Sequence, residues 1–316
     1  MQDLGRLGFS EEQASLLEVA TSFCQKRSPM AKVRRLIEDE TGHDPEVWRE
    51  IVDLGWLGIA LPEEHGGAGL GLAEVTPVME QMGRYLLASP FYSTTLAAQV
   101  LLTGGREDQK RDHLPKIADG EIWTLALGEA DGDWNLANVS CSATRNENGV
   151  LRLSGRKRLV RDAAVAAAYI ATVKIDGEVA LVIIERSQLG PDALRRETII
   201  DETKRACSLN LEGIEIPAEN RLDPADTAQA LAHLHLAANL LAAAEMCGAT
   251  QSCIDYTIDY LKPRTPFGKL IGSYQALKHP IVDAYVAYEQ TRSHLYSAAH
   301  CFTEQGVGEI ATRMAK

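Results

Sequence analysis

The feature that most constrains the fold is a basic corner between two helical patterns, within residues 253–286. Before the corner, apolar residues recur at helical spacing up to Leu261, and Pro263 follows as a stop signal. Beyond the corner, Ser273 offers a hydroxyl that can cap the next helix. The pattern therefore predicts two helices that meet at residues 264–269, which read Arg-Thr-Pro-Phe-Gly-Lys.

Both flanking helices are predicted to be long. Residues from Thr227 to Leu261 are apolar at spacings of three and four, which predicts a helix of roughly 50 Å if it is continuous. The helix after the corner carries an apolar stripe from Ile281 to Phe302, suited to helix packing or to a subunit interface. Pro280 is expected to bend this second helix near its start.

The charge of the chain restricts its partners. A net charge of −12 argues against a nucleic-acid-binding protein, but Lys262, Arg264 and Lys269 can form a local cationic site for a phosphorylated ligand. The plainer interpretation is a helix C-terminus with favourable cations, followed by a turn. The composition predicts a soluble globular protein, and we expect no membrane span because polar residues interrupt the most apolar helix.

The pattern of the chain divides it into three parts. Residues 1–118 are predicted to be an N-terminal helical domain, with a capping box at Ser10 and an Asp44-Pro45 helix start. Residues 119–222 alternate with period two around Asn-Gly and Asp-Gly turns, and are predicted to form a middle antiparallel β domain. Residues 223–316 return to helix and are predicted to be an incomplete C-terminal helical bundle. The predicted class is α+β multidomain.

The cysteines indicate a reducing compartment. The six cysteines include no Cys-x-x-Cys pair and no Cys/His cluster at metal spacing, so we expect neither a disulfide nor a metal site. A cytoplasmic location is expected on the same ground.

The corner resembles a signature of the acyl-CoA dehydrogenases, a family of flavoenzymes. The signature Tyr-x-x-x-Arg-x-x-Phe-Gly-Lys-x-Ile-x-x-x-Gln-Ala-x-x-His is matched here by Tyr260, Arg264, Phe267, Gly268, Lys269, Ile271, Gln275, Ala276 and His279. The resemblance implies that Arg264, Phe267 and Gln275 reach the ADP half of an FAD that a neighbouring subunit mainly holds. An Arg fork suits a pyrophosphate, and an amide suits a ribose or adenine edge.

A second match lies in residues 55–69, where Leu-Gly, Pro-Glu and Gly-Gly-x-Gly follow each other in the order that is typical of the family's N-terminal domain. The resemblance then implies α,β-desaturation of an acyl-CoA thioester. A carboxylate removes the α-proton, and FAD takes the β-hydrogen as hydride. An electron-transfer flavoprotein or a similar acceptor is the implied redox partner.

The catalytic base is not evident in this sequence. In the family it is usually a Glu beyond the Met-Ala-Lys that ends here at Lys316, and some members place it on the helix that contains residues 236–239. Those residues include no carboxylate, and Glu245 is the nearest acid, for which a solvated or capping role is expected. The catalytic residues are therefore unknown. Leu236 and Asn239 also stand where the family's CoA anchors, an Asp and an Arg, are expected.

The flavin-ring cradle also departs from the family pattern. Residues 128–134 replace the family's Thr-Glu-Pro-x-x-Gly-Ser, and Leu159-Val160-Arg161-Asp162 replaces its Trp-Ile-Thr-Asn. The hydroxyl and aromatic contacts to the ring are thereby lost. Backbone contacts at Leu127 and Gly128 remain available, because backbone N–H groups do not depend on the side chain.

An intact corner beside an altered cradle is most similar to short members that pair as unlike chains, in a dimer of dimers, and act on steroid CoA thioesters. This chain would then lend its corner to the FAD of a partner subunit. Two alternatives remain: an ordinary homotetrameric acyl-CoA dehydrogenase with its base beyond residue 316, and a non-catalytic scaffold subunit on the same fold. The acyl group cannot be identified from these residues.

Overall fold

The structure is a computed structural model that describes residues 8–133, 135–147 and 149–316, without the side chain of Phe267. In these ranges the chain forms nine α-helices and nine β-strands. The helices are α1 (Glu11–Arg27), α2 (Met30–Glu38), α3 (Pro45–Asp53), α4 (Leu72–Arg84), α5 (Phe91–Gly104), α6 (Glu107–Ala118), α7 (Thr227–Leu261), α8 (Gln275–His300) and α9 (Val307–Ala315). The strands are β1 (Trp123–Ala126), β2 (Ser142–Arg145), β3 (Leu151–Ser154), β4 (Arg156–Arg161), β5 (Ala168–Ile175), β6 (Glu178–Glu185), β7 (Leu194–Glu197), β8 (Ala206–Asn210) and β9 (Glu215–Ile216).

The order of these elements confirms the predicted α+β class, with helices before and after a middle β region. Helix α7 has the predicted bounds. The domain boundaries after residues 118 and 222 stay predictions.

Local capping explains where two of the helices begin. The Ser10 side chain accepts a hydrogen bond from the Gln13 backbone, and the Gln13 side chain reaches back to the Ser10 backbone, which completes the predicted capping box of α1. Asp44 caps α3, and Pro45 occupies its first turn. The cap predicted at Ser273 is wrong. Its hydroxyl donates to the Leu270 carbonyl at 2.6 Å, and α8 begins at Gln275 without a side-chain cap.

One compact unit contains residues 34–70 and 88–237, including every strand. Its larger sheet has the order β1-β5-β2-β3-β9, with β6 on β5, and a second sheet has the order β4-β8-β7. The predicted hairpin at Asp176-Gly177 joins β5 to β6, and both turn residues have positive φ, as a type I′ turn requires. Most strand pairs are antiparallel, but β1 and β2 both pair with β5 in parallel. The Asn148 turn lies outside the described residues.

The other compact unit contains residues 8–33, 71–87 and 238–316. Helix α4 packs against α1 and α8, and α9 packs against α8. At its centre Arg292 donates to the Glu80 carboxylate at 2.6 Å, and the Tyr296 hydroxyl donates to the same carboxylate at 2.6 Å. The side chains of Glu80 and Arg292 are 0% and 7% exposed, so this network is buried.

Two glycines bring α4 and α7 into close contact in this unit. A Cβ added at Gly248 would lie 1.7 Å from the Glu80 carbonyl oxygen, and one added at Gly83 would lie 2.0 Å from the Glu245 carbonyl oxygen. Both obstacles are backbone atoms on a packed helix. No flexible side chain can move aside, so these positions require glycine.

We expect Gly248→Ala to destabilise the protein by about 1–3 kcal/mol, because the added methyl must push two helices apart. Alanine's better helix propensity, worth about 1 kcal/mol, opposes this loss without cancelling it. Urea denaturation measures the effect. The matched control is Gly190→Ala, since a Cβ at Gly190 meets no atom within 4 Å. Equal midpoints for the two variants would show that the helices are not in this contact.

Among the described helices, α7 is long and apolar enough to cross a bilayer by length and composition. Half of its most apolar window is buried inside the protein, however, and a buried core helix has the same composition. One such helix is weak support for a membrane span.

Candidate functional site

The predicted corner joins α7 to α8 through two short 3₁₀ turns, at Pro266–Gly268 and Ile271–Ser273. The backbone closes on itself, because the N–H of Ile271 donates to the Arg264 carbonyl at 2.9 Å. Gly268 has a φ of +77°, a conformation that glycine adopts without strain. The corner is therefore a hydrogen-bonded loop, and its Arg264, Thr265 and Lys269 are exposed.

Arg264 is held by an aromatic ring. Its guanidinium carbon lies 3.8 Å from the centroid of the Tyr260 ring, one helical turn earlier, and Arg264 itself is exposed. A guanidinium stacked on a ring keeps all its donor N–H groups available at its edges. Sequence reasoning identified Arg264 but did not assign this role to Tyr260. The spacing of four residues was the signal that could have shown it.

Other cations surround Arg264. The Lys269 amine lies 5.1 Å from the centroid of the Tyr274 ring, and Lys262 contacts Asp259 at 3.4 Å. The first turn of α8 contains no acidic residue, so the positive end of the helix dipole is not neutralised there. In a protein with a net charge of −12, this corner is a local anion-attracting surface.

Gln275 follows the two short turns that continue from Arg264. Gln275 is the first residue of α8 and is exposed, so its amide is open to a ligand. The side chain of Phe267, the third predicted contact, lies outside the described part of the structure. An apolar cavity of about 500 Å³ also lies beside the corner, lined by Leu261, Leu270 and Ile281 among others.

Leu127 and Gly128 belong to the β-containing unit, where they follow β1. The Gly128 carbonyl accepts a hydrogen bond from the Arg158 N–H at 2.8 Å, and the Leu127 carbonyl lies 3.4 Å from the Lys157 amine. These bonds fix the segment against β4. The role of Leu127 and Gly128 as cofactor contacts stays a prediction.

The next residue, Glu129, anchors this segment. Its carboxylate accepts hydrogen bonds from the Lys157 amine at 2.7 Å and from the backbone N–H of Ser140 at 2.8 Å. Lys157 is completely buried and also donates to the Thr172 hydroxyl at 2.9 Å. Burial by itself raises the pKa of Glu129, but the hydrogen bonds from Lys157, Ser140 and Cys141 outweigh burial and lower that pKa to about 2.

The Glu129 pKa predicts a loss of stability in acid. Its pKa falls from an ordinary 4.5 to about 2 on folding, so protons bind more tightly to the unfolded chain. The stability that this carboxylate contributes is therefore complete above pH 4.5 and is lost as pH falls toward 2. We expect the difference in unfolding free energy between wild type and Glu129→Gln to shrink over this range. A difference that stays constant with pH would contradict the assignment.

The positions on α7 that could carry a base or a CoA anchor hold none of the expected charges. Asn239 is buried, and its side-chain oxygen accepts a hydrogen bond from the Lys316 amine at 2.7 Å. Leu236 is partly buried, and Glu245 is partly buried on α7 with its backbone against Gly83. The Lys316 contact was not foreseen in the sequence, where the two residues are 77 positions apart.

The β-containing unit also has a groove of about 600 Å³ beside the start of α7. Its α7 wall comes from one helix face that includes Thr227, Leu231 and His235, and the opposite walls include residues 135–137 and Glu178. Among the described residues that line it, Glu178 is the only Asp, Glu, Lys or Arg. Such a groove suits an apolar, uncharged group rather than a phosphate.

Two family profiles match this chain: the acyl-CoA dehydrogenase N-terminal domain over residues 10–121 and the acyl-CoA dehydrogenase C-terminal domain over residues 230–316. "Acyl-CoA dehydrogenase IpdE2" of Mycobacterium tuberculosis is 31% identical over 300 residues, which cover 93% of this chain and 77% of that protein. The chain belongs to the acyl-CoA dehydrogenase family. Acyl-CoA dehydrogenases are FAD-containing oxidoreductases that act on CH–CH bonds, so the predicted family, enzyme class and cofactor are confirmed.

Solved acyl-CoA dehydrogenase structures have the same fold. The structure described as "Tcur3481-Tcur3483 steroid ACAD G363A variant" has a TM-score of 0.83 and 30% identity, over 98% of this chain and 82% of that chain. The ChsE4-ChsE5 complex from Mycobacterium tuberculosis gives a TM-score of 0.85 at 24% identity, over 97% of this chain and 82% of that chain, and at this identity it shows the fold alone.

The residues present fit one half of FAD better than the other. The exposed guanidinium of Arg264 and the open amide of Gln275 suit the charged, polar ADP half. The turn that replaces Trp-Ile-Thr-Asn does not suit the ring, because Arg161 lies over Tyr92 at 4.6 Å and Asp162 is bonded to Ser93. These side chains bind each other instead of offering a flat apolar face and a hydroxyl.

Proposed function

We propose that this chain is a subunit of an FAD-dependent acyl-CoA dehydrogenase that desaturates an acyl-CoA thioester, and that it lends its corner to FAD held mainly by a partner subunit. The observation that carries the proposal is Arg264, exposed and stacked on Tyr260 in the loop between α7 and α8. FAD, where it is bound, accepts the hydride from the β-carbon. In this proposal, Arg264 and Gln275 bind and orient its ADP half.

The corner is suited to an anion from outside its own chain. A pyrophosphate carries negative charge, and an Arg side chain can donate two parallel N–H groups to it. Lys269 and the start of α8 add positive potential around this fork. Because Arg264 and Gln275 are exposed on the surface of this chain, their ligand is expected to arrive with another subunit.

The surface around the corner supports a subunit contact. Tyr256 is 76% exposed at the end of α7, and Val282, Tyr285 and Val286 are about half exposed on the first half of α8. Contiguous exposed apolar side chains of this size are typical of protein–protein interfaces. We propose a second acyl-CoA dehydrogenase-like chain as the partner, in a dimer of dimers, with an electron-transfer flavoprotein or a similar acceptor as redox partner.

We further propose that the catalytic base does not come from α7 of this chain. Leu236 carries no carboxyl group, and the side-chain oxygen of Asn239 already accepts a hydrogen bond from the Lys316 amine. The base would come either from a partner subunit or from sequence that follows residue 316. For the acyl group, the solved structure described as a steroid ACAD variant, which is 30% identical to this chain, favours a steroid-derived one.

Arg264→Ala tests the corner directly. Loss of a charge-assisted phosphate contact is worth about 1.5–3 kcal/mol, so we expect the assembly to bind FAD roughly 10- to 150-fold more weakly. The measurement is FAD retained by the purified complex, from its visible absorption after dialysis. Lys262→Ala is the matched control. It also removes one positive charge, two residues before Arg264, but the Lys262 side chain contacts Asp259 of its own chain. Equal FAD loss in both variants, or in neither, would refute a specific role for Arg264.

A further inference from the structure

Residues 159–162, the irregular end of β4 where the chain enters a turn, have an unusual and well-fixed backbone. Leu159 and Asp162 have φ angles of +53° and +55°, which non-glycine residues rarely adopt. The Leu159 N–H donates to the Glu197 carboxylate at 2.6 Å, and the Asp162 N–H donates to the Arg205 carbonyl at 3.0 Å. Bonds at both ends therefore hold a strained turn in one conformation.

The two polar side chains of this turn are held by the start of α5. The Arg161 guanidinium carbon lies 4.6 Å from the centroid of the Tyr92 ring, and its Nε lies 3.7 Å from Asp162 Oδ2. The Ser93 hydroxyl donates to the same Asp162 oxygen at 2.5 Å. Arg161 is thus fixed on two sides, by a ring and by a carboxylate, and it cannot leave without exposing both.

The pKa of Asp162 is raised in this cluster. Its burial is the largest cause and outweighs the positive charge of Arg161 and the hydrogen bond from Ser93, which act in the opposite direction. The positive charge of Lys204 also favours the carboxylate, and His43 faces it, with its own pKa lowered by burial. Removing Arg161 alone would leave a buried carboxylate with less compensation, so a clean test must neutralise Asp162 as well.

We infer that Arg161, fixed by Tyr92 and Asp162, closes the flavin-ring cradle of this chain, so that its own β region excludes a flavin ring. The inference deepens the proposed function, on which it rests. It names the residue that prevents this subunit from binding an FAD of its own, so that the subunit only contributes contacts to the FAD of its partner. The turn stands where the family contacts the ring through a Trp and a Thr. Here a guanidinium and a carboxylate occupy that turn as an ion pair, and a neutral aromatic ring would have to separate them.

FMN is the probe that isolates the ring cradle, because it carries the isoalloxazine ring but no adenylate for the corner to bind. Quenching of FMN fluorescence by the purified chain is titrated for wild type and for the double variant Arg161→Thr/Asp162→Asn. We expect the double variant to bind FMN at least tenfold more tightly than wild type. Arg161→Lys keeps the positive charge, so this variant is expected to bind FMN as weakly as wild type. Arg156→Thr is the control for surface charge, because Arg156 is an exposed arginine on the same strand.

The inference is overturned if wild type binds FMN as tightly as the double variant, or if Arg161→Lys opens the site as fully as the double variant does. Circular dichroism checks that each variant is folded. If the double variant unfolds, Arg161→Thr with Asp162 intact is titrated at low pH, where the carboxyl is protonated, and the same gain is required. Failure here is distinct from failure of the proposed function. The Arg264→Ala experiment measures how strongly the assembly retains FAD through its ADP half, whereas the FMN titration measures binding of the flavin ring to this chain alone.

Discussion

Arg292→Met is expected to lower the free energy of unfolding by about 3–5 kcal/mol, because it leaves the Glu80 carboxylate buried without its cationic partner. Glu80 is 0% exposed and receives hydrogen bonds from Arg292 and Tyr296 at 2.6 Å each. Burial alone would lower the pKa of Arg292, but the adjacent Glu80 raises it, so the guanidinium is charged at every usable pH. Chemical denaturation with a two-state fit measures the loss.

The double variant Glu80→Leu/Arg292→Met separates a lost ion pair from lost packing. It removes both charges and keeps similar volumes, so most of the stability should return. Arg313→Met is the surface control, since its pair with Glu309 is more than half exposed and is worth at most about 1 kcal/mol. If the double variant were as unstable as Arg292→Met, the defect would lie in packing and not in an unpaired charge.

Lys157→Met is expected to have an effect of the same size, about 3–5 kcal/mol, in the β-containing unit. The amine is fully buried and donates to Glu129 at 2.7 Å and Thr172 at 2.9 Å, so its loss leaves the buried Glu129 carboxylate without its cationic partner and the buried Thr172 hydroxyl without this donor. The same amine lies 3.4 Å from the Leu127 carbonyl. The variant should therefore also loosen the segment after β1, seen as faster hydrogen exchange in peptides that span residues 127–133.

The double variant Glu129→Gln/Lys157→Met tests whether the unpaired Glu129 charge causes the loss of stability in Lys157→Met. It leaves no unpaired carboxylate, so part of the lost unfolding free energy should be recovered. Lys110→Met is the control, because the Lys110 side chain is partly buried but its partner Glu107 is 83% exposed and keeps its contact with water. A Lys157→Met protein as stable as Lys110→Met would mean that Glu129 finds its compensation elsewhere.

Local chemistry made part of the fold predictable from the sequence. Helix α7 follows from its apolar periodicity and the stop at Pro263, and the β5–β6 hairpin follows from Asp176-Gly177, whose turn geometry few other residue pairs adopt. The cap expected at Ser273 failed for a local reason. The preceding 3₁₀ turn brings the Leu270 carbonyl within 2.6 Å of its hydroxyl, which then cannot cap α8.

Long-range pairing was not predictable in the same way. Glu80 and Arg292 are separated by 212 residues, and no periodicity connects them. The parallel pairing of β1 with β5 depends on how strands that are distant in the chain meet. Turn motifs such as Asp-Gly in the sequence predict only antiparallel pairs of neighbouring strands. In the candidate site, the signature identified Arg264 and Gln275, but the stack on Tyr260 and the fixation of Arg161 by Tyr92 required coordinates.

The visible absorption spectrum of the purified chain, alone and then in complex with an acyl-CoA dehydrogenase-like partner, tests the central claim most directly. The account predicts no flavin band from the chain alone, because Arg161 closes its cradle, and a flavin band in the complex, where Arg264 and Gln275 reach the partner's FAD. A band from the chain alone that corresponds to one FAD per protomer would contradict it and would favour a homomeric enzyme.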